Sequence, residues 1–410
     1  MRHARKCRKV SVLSVLSVLF LAAKPAGAID DLDRLYIINS LGENLTMIDR
    51  AGDSVVTNLM PLGGCPNRIR AHNGLLLVVN SCTDDLMVIM QSTHTVVRTV
   101  DFPSGDNPWD VVVIDDSLCA ISMLLANEVA IVNYQEGNES RRFATGSAPE
   151  GLLYAYGRLW IANCALDFGT FEYGQGTVSI SDASLSSTAA TVNVGTNPQV
   201  MAVGGDGAIH VMCTGNYFDQ FGRIFTLDPD SWLPTDSMFI GDFPGDFVVG
   251  SDGAGYLAGG GFVDSGFVFR YETGTHTVIN GPANPWKTAR GVLSILPRAE
   301  GGVFALAFSG DTVTELSVSG EHVRSWQVGD GPGYAAHVTN RRPGDVNEDG
   351  VNDVLDVIGV IGVAFRGDPS PERSGSADVN ADCAYDILDV VSIVNHVFRG
   401  GGLLYWGCVQ

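Results

Sequence analysis

The 410-residue chain is short of positive charge: 25 Lys and Arg stand against 46 Asp and Glu, and six of the basic residues fall in the first 28 positions, where no acid does. Beyond that stretch 19 basic side chains face 46 acidic ones, a formal charge of −27, which excludes nucleic-acid binding by charge. Long apolar runs are also scarce. The one candidate, VSVLSVLSVLFLAA, has 14 residues, where a transmembrane helix needs about 20, so no transmembrane segment is expected. There is no Cys-x-x-Cys-His for covalent haem and no Gly-x-Ser-x-Gly nucleophile elbow. His72, His94, His210, His276, His322, His337 and His396 are scattered without a metal-ligand spacing.

What is present begins with an export signature. Arg2, Arg5, Lys6, Arg8 and Lys9 precede the apolar run and Ala26-Gly27-Ala28 follows it as a small-residue cleavage site, so residues 1–28 read as a secretory signal peptide. The expected location is secreted, extracellular or cell-surface associated. The remaining length fits one large domain, 29–340, and a small one, 341–410. Seven cysteines remain after Cys7 leaves with the signal; export permits disulfides, and an odd number leaves at least one thiol free.

From Leu35 to about Asn340 the chain is rich in glycine and short alternating apolar runs. Gly-x-x-Pro recurs, ending at Pro66, Pro108, Pro149, Pro198, Pro244 and Pro332, with GPANP at Pro285 one residue longer; the spacings are 42, 41, 49, 46, 41 and 47. That period is the range of a propeller blade. Between turns come a strand after the proline, an apolar strand such as LYIINS, LLVVNS or LWIANC, and a third such as GTVSISD or GRIFTLD. A fourth, such as VVRTV, leads into the next turn. Four strands per repeat make one blade, and seven turns make seven blades.

These segments resemble the YVTN-type beta-propeller repeat over about three quarters of the chain, which implies a fold and says little of function. The chain enters at LYIINS, a second strand, and GYAAHVTN after Pro332 is an orphan first strand, so blade one is expected to be built from both ends. On the family's topology Arg68, Trp109, Asp110, Glu150, Gln199, Asp246, Trp286, Lys287 and Tyr334 ring the channel mouth. They would serve either a polar ligand such as a sugar or peptide, or only turn backbone and water. Two long loops on that face, 164–176 and 213–222, carry Phe168, Phe171, Tyr173, Tyr217, Phe218 and Phe221, either as a stacking platform for sugar rings or protein partners or as mutual packing.

After Asn340 the composition changes. DVNEDGVNDVLDVIGVIGVAFRG from Asp345 and DVNADCAYDILDVVSIVNHVFRG from Asp378 match at an offset of 33 residues. Asp and Asn at places 1, 3, 5, 9 and 12 aim oxygens at a hard cation, with the place-7 carbonyls of Val351 and Ala384 joining them. Apolar residues then fall at helical spacing: Val354, Val357, Ile358, Ile361 and Phe365, and again Ile387, Val390, Val391, Val394 and Phe398. The two faces are expected to pack together. This doubled loop-helix resembles a dockerin domain. The resemblance implies two calcium ions, one on Asp345, Asn347, Asp349, Asp353 and Asp356, the other on Asp378, Asn380, Asp382, Asp386 and Asp389, and a cohesin-like or other surface scaffold module as partner. Places 10 and 11, hydroxyl residues in well-known dockerins, are Val354-Leu355 and Ile387-Leu388 here.

The fold expected is therefore mainly β: a seven-bladed propeller followed by a small α-helical calcium-binding domain. The function expected is a non-catalytic binding or display role toward a carbohydrate or protein ligand. The alternative is a dockerin-borne enzyme of polysaccharide catabolism, a glycoside hydrolase or a lactonase-like propeller, centred on Asp110, Glu150 and Asp246. Among the cysteines, Cys65 with Cys82 and Cys164 with Cys213 lie where strands end on one face and are candidate pairs, and Cys119 in mid-strand reads as a buried thiol. Cys383 occupies the sixth loop place, where the first copy has Gly350. A Cys383–Cys408 disulfide would anchor it there and contribute about 3 kcal/mol.

Overall fold

The computed structural model describes residues 32–339, 344–347, 352–368, 376–380, 385–399 and 404. Among them are seven antiparallel sheets of four or more strands, and together they form a seven-bladed β-propeller. The innermost strands, blade by blade, are Pro332–Thr339, Pro66–His72, Pro108–Val113, Pro149–Ala155, Pro198–Val203, Asp246–Val249 and Val292–Pro297.

Burial follows from the stacking of blades. Second strands are covered on both faces, so Leu75–Asn80, Ile209–Cys213, Ala254–Ala258 and Val303–Ala307 are apolar runs buried throughout. Outer strands such as Thr188–Asn193 alternate between half-buried and exposed. Seven apolar clusters fill the seven gaps between neighbouring blades. One of them packs Leu77, Val79 and Val88 of blade 2 against Cys119, Ile121 and Val132 of blade 3. Another packs Leu35, Ile37 and Ile48 of blade 1 against Phe304, Leu306 and Val313 of blade 7.

The two recurring motifs are linked by sterics. The asparagine ending a second strand is fully buried at Asn39, Asn80 and Asn163, and its amide bonds the third strand, as Asn80 Nδ2 does to Asp85 Oδ1 at 2.6 Å. The glycine of the neighbouring Gly-x-x-Pro lies against it. A Cβ on Gly63 or Gly146 would stand 2.6 Å from Cγ of Asn80 or Asn163, so the turn needs glycine where the strand ends in asparagine.

Blade 1 is built from both ends of the propeller segment: Asp33–Asn39 pairs with Pro332–Thr339 from Asp33↔Thr339 to Asn39↔Pro332. Ion pairs reinforce this seam. Arg50 reaches Asp33 at 2.7 Å and Glu315 of blade 7 at 2.8 Å, and His337 Nε2 lies 2.7 Å from Asp33 Oδ1. Burial opposes ionisation of Asp33, but His337 and Arg50 outweigh it and hold the carboxyl down at about 2.

One turn is misread from spacing. Trp286 and Lys287 are not at the channel mouth: Trp286–Thr288 pairs with the third strand of blade 6, Val268↔Trp286 and Phe267↔Lys287. GPANP interrupts the outer strand of that blade, and the inner strand of blade 7 begins later, at Val292. Trp286 lies on Tyr256 instead, ring centroids 5.7 Å apart.

Cys65 and Cys82 form a disulfide. Cys164 and Cys213 do not: both are separate buried thiols, as is Cys119. The Cys164 thiol neighbours the Glu150 carboxyl, whereas Cys213 Sγ lies against Gly195.

Toward the carboxy terminus, Asp353 caps the helix Val354–Ile361 in a capping box with Asp356, and a 13-residue helix spans Ile387–Arg399. Val357, Val360, Ala377, Val379 and Ile393 form their common core. The expected full apolar faces do not meet. Val354, Ile358, Phe365, Ile387, Val391 and Phe398 are exposed, because the stripe is wider than one contact and its Val357–Val360–Ile361 and Val390–Ile393–Val394–Val397 side is the one turned inward. Asp349, Val351, Asp382, Ala384, Cys383 and Cys408 lie outside the described residues, as does the signal segment 1–28.

Candidate functional site

Strand alternation places one residue near the start of every inner strand on the channel, the third in six blades and the first in Asp246–Val249: Arg68, Asp110, Gly151, Val200, Asp246, Ser294 and Tyr334 all line a central cavity of about 410 Å³. Arg68 is its keystone. Its guanidinium carbon stands 3.6 Å over the Tyr334 ring, and its Nη1 lies 3.9 Å from Asp246. Its Nε lies 3.1 Å from Asp110 Oδ1, near enough for an ion pair though off the axis of a hydrogen bond. Burial works against the charge of Arg68, but Tyr334, Asp110, Asp246 and Glu150 reverse it and drive the pKa above its ordinary value.

The two aspartates are already occupied. Asp110 Oδ1 accepts from its own neighbour Val111 N at 2.8 Å and from Arg70 at 3.3 Å, and Oδ2 accepts from Leu152 N of blade 4 at 3.0 Å. Asp246 accepts from Ile295 N of blade 7 at 3.0 Å. Each joins its blade to the next, which leaves little of either carboxylate for a substrate.

Glu150 differs. It is buried, and burial pushes its carboxyl up to about 7 against the pull of the Cys164 thiol and Arg68. Burial, with Glu150 adding to it, also raises the pKa of Cys164, so this thiol is no ready nucleophile. Trp109 packs beside Cys164, Leu124 and Ala148 with Tyr173 above them. Glu150 therefore sits beneath the aromatic loops.

Those loops are pinned from within. Asp167 Oδ1 accepts from Gly169 N and Thr170 N, closing the turn of a two-residue hairpin, Leu166–Asp167 with Glu172–Tyr173. Asn216 Oδ1 accepts from the amides of Phe218, Asp219 and Gln220 at 2.9–3.0 Å. Tyr173 meets Tyr217 at 6.2 Å, Tyr217 meets Phe243 at 5.5 Å and Phe221 meets Phe243 at 5.3 Å, so one row of rings crosses from blade 4 to the turn entering blade 6. Burial raises the pKa of the Tyr217 hydroxyl, while the residue as a whole is half exposed. Phe171 and Phe218 stand outward, 75% and 84% exposed, with Phe168 and Phe221 beside them and Phe262 on the corresponding loop of blade 6. The mutual packing expected of the loops is seen for Tyr173, Tyr217 and Phe221, which pack on rings, while Phe171 and Phe218 stay exposed. Phe243 and Phe262 were missed because each is a lone aromatic in a turn.

In the carboxy-terminal segment, Asp345, Asp356, Asp378 and Asp389 are buried carboxylates. Asp356 Oδ2 accepts from Asp353 N at 2.9 Å, and Asp389 Oδ2 accepts from Asp386 N at the same distance. The donor set of both copies is all oxygen and carries several negative charges, which suits a hard divalent cation.

No protein-family model matches the chain, and no curated protein matches it. Among solved structures, the chain is similar to hydrazine synthase of Kuenenia stuttgartiensis, at 14% identity and a TM-score of 0.56 over 66% of this chain and 89% of that one. It is similar to a streptogramin B lyase at 11% and 0.51, over 72% and 88%. It is also similar to a putative 6-phosphogluconolactonase from Bacteroides uniformis at 10% and 0.58, over 75% and 100%. At such identities the likeness is one of fold.

Proposed function

We propose that this chain is an exported, non-catalytic binding protein whose propeller holds a carbohydrate ligand on the aromatic crest beside the channel mouth. The observation that carries this reading is the crest itself: Phe171 and Phe218 are exposed on loops already ordered by Asp167 and Asn216, so stacking on a sugar ring costs little further entropy. Gln199, half-buried beside Tyr217, supplies a directional polar group.

Within the same reading the carboxy-terminal segment is a dockerin-like module. Two calcium ions would offset the burial of Asp345, Asp356, Asp378 and Asp389. Val354, Leu355, Ile358 and Phe365 are exposed, and so are their counterparts 33 residues on, Ile387, Leu388, Val391 and Phe398. A cohesin-type or other scaffold module would then be met by apolar contact instead of hydroxyl hydrogen bonds.

The second reading, an enzyme, is favoured by one observation, the Glu150 carboxyl near 7, the range of a general acid or base. A glycan array and a reducing-sugar assay on the full chain separate the two. Retention without turnover, weakened about tenfold or more by F171A with F218A, supports binding. Turnover abolished by E150Q makes the enzyme reading the correct one. Calcium titration by calorimetry should count two ions, and D356N with D389N should remove both.

A further inference from the structure

At the opposite end of blades 5 and 6, where first strands turn into second and third into fourth, lies a group the channel does not use. Asp206 sits in the turn after Pro198–Val203, His210 in the second strand of blade 5, and His276 in the turn between Gly266–Glu272 and Thr277–Asn280 of blade 6. We propose that Asp206, His210 and His276 form a mononuclear site for a divalent first-row transition metal of the zinc class, with at least one position left for water or a ligand.

Four features of the geometry carry it. The candidate ligand atoms all lie within 4.8 Å of one another. Asp206 Oδ1 is 3.1 Å from His210 Nε2 and Oδ2 is 3.2 Å from His276 Nε2. Ligand atoms around a tetrahedral ion with bonds of about 2.0–2.1 Å are about 3.3 Å apart, so both Asp–His edges already have the required length. Closing the third edge needs only a small turn of His276, which lies edge-on to His210 at a ring separation of 5.5 Å.

Each imidazole is also held by its other nitrogen. His210 Nδ1 bonds the Tyr271 hydroxyl at 2.9 Å, and His276 Nδ1 bonds Asp236 Oδ2 at 2.7 Å. Both Nε2 atoms face Asp206, whose carboxylate can only accept, so the protons they donate to it are the ones an ion would displace. The Asp236 carboxylate accepts from His276 Nδ1, and the Tyr271 hydroxyl can accept from His210 Nδ1 once Nε2 is ligated, the arrangement that orients metal-bound histidines. The backbone makes room as well: a Cβ on Gly204 would fall 2.4 Å from both Asp206 Oδ1 and His210 Nε2. Two imidazoles and one carboxylate select a borderline transition ion over calcium. His210 is fully buried, while Asp206 and His276 keep partial access to solvent, so the open position faces outward.

The test uses the tag-free full chain saturated with calcium, so that oxygen sites elsewhere are filled, titrated with Co²⁺ and followed by visible d–d absorption. One cobalt per chain is expected, displaced by Zn²⁺, with a rise in melting temperature on loading. H276N and D206N should abolish the band, and D236N should weaken binding about tenfold. Equal binding in the wild type, D206N and H276N overturns the proposal. So does a wild type that shows no band and no change in melting temperature with either ion, whatever the variants do.

Discussion

In the channel, the carboxylates of Asp110 and Asp246 end on Arg68 and on amides of the next blade. At the opposite rim, that of Asp206 ends on two imidazole nitrogens. Both places gather charge from strands far apart in sequence, yet the first consumes its charges internally and the second leaves them a ligand set. The difference lies in the partner. Arginine cannot give up its proton and closes a site permanently, whereas a histidine pair can exchange protons for an ion. Carboxylates crowded into a cleft therefore do not by themselves mark a site of action.

The strongest way to break the contrast is R68M. With the guanidinium removed, Asp246 stays buried with amide donors alone and Asp110 with amides and Arg70 at 3.3 Å, and we expect a loss of about 3–5 kcal/mol, read by urea denaturation. H276N should cost less than about 1 kcal/mol by the same measurement, because its contacts are partly exposed. Comparable losses would mean that the rim is as structural as the channel.

Glu150, next to the channel residue Gly151 but outside the cavity lining, sharpens the comparison through pH. Its carboxyl is raised from 4.5 to about 7 in the folded chain. Across that window the folded state keeps a proton that the unfolded state has released, so stability falls as pH rises from 4.5 to about 7, by about 3 kcal/mol in all. E150Q should remove this slope and make the protein more stable above neutrality than the wild type. The blade 1–7 seam behaves oppositely: with Asp33 held at about 2 against an ordinary 3.8, its stabilisation is lost only as pH falls through that range.

How much of this was legible follows from what each feature depends on. Turn spacing disclosed the blades and the two-ended closure because Gly-x-x-Pro is a local turn signal, sterically required at Gly63, Gly146 and Gly329 by the buried asparagine beside each. GPANP misled because an interrupted outer strand uses the same residues as a turn between blades. Arg68, Asp110 and Asp246 could be placed on the channel from alternation alone, but that their charges cancel could not, since no local rule pairs residues of blades 2, 3 and 6. The rim cluster was illegible for the same reason. Asp206 and His210 are four residues apart across a tight turn and His276 lies 70 residues beyond Asp206, so only the ring brings them together.

The smallest effect expected on stability belongs to the crest, and it is the most direct probe of surface that the fold does not use. Phe218 is 84% exposed and its loop is held by the Asn216 side chain, not by the ring. F218A should therefore change unfolding free energy by no more than about 0.5 kcal/mol. N216A, which frees three backbone amides, should cost about 1 kcal/mol. If F218A instead destabilises as much as N216A, the ring serves the loop, and the crest joins the channel as a feature spent on the fold. If F218A leaves the melt unchanged and loses glycan retention, the aromatic loops join the rim as surface left for something outside the chain.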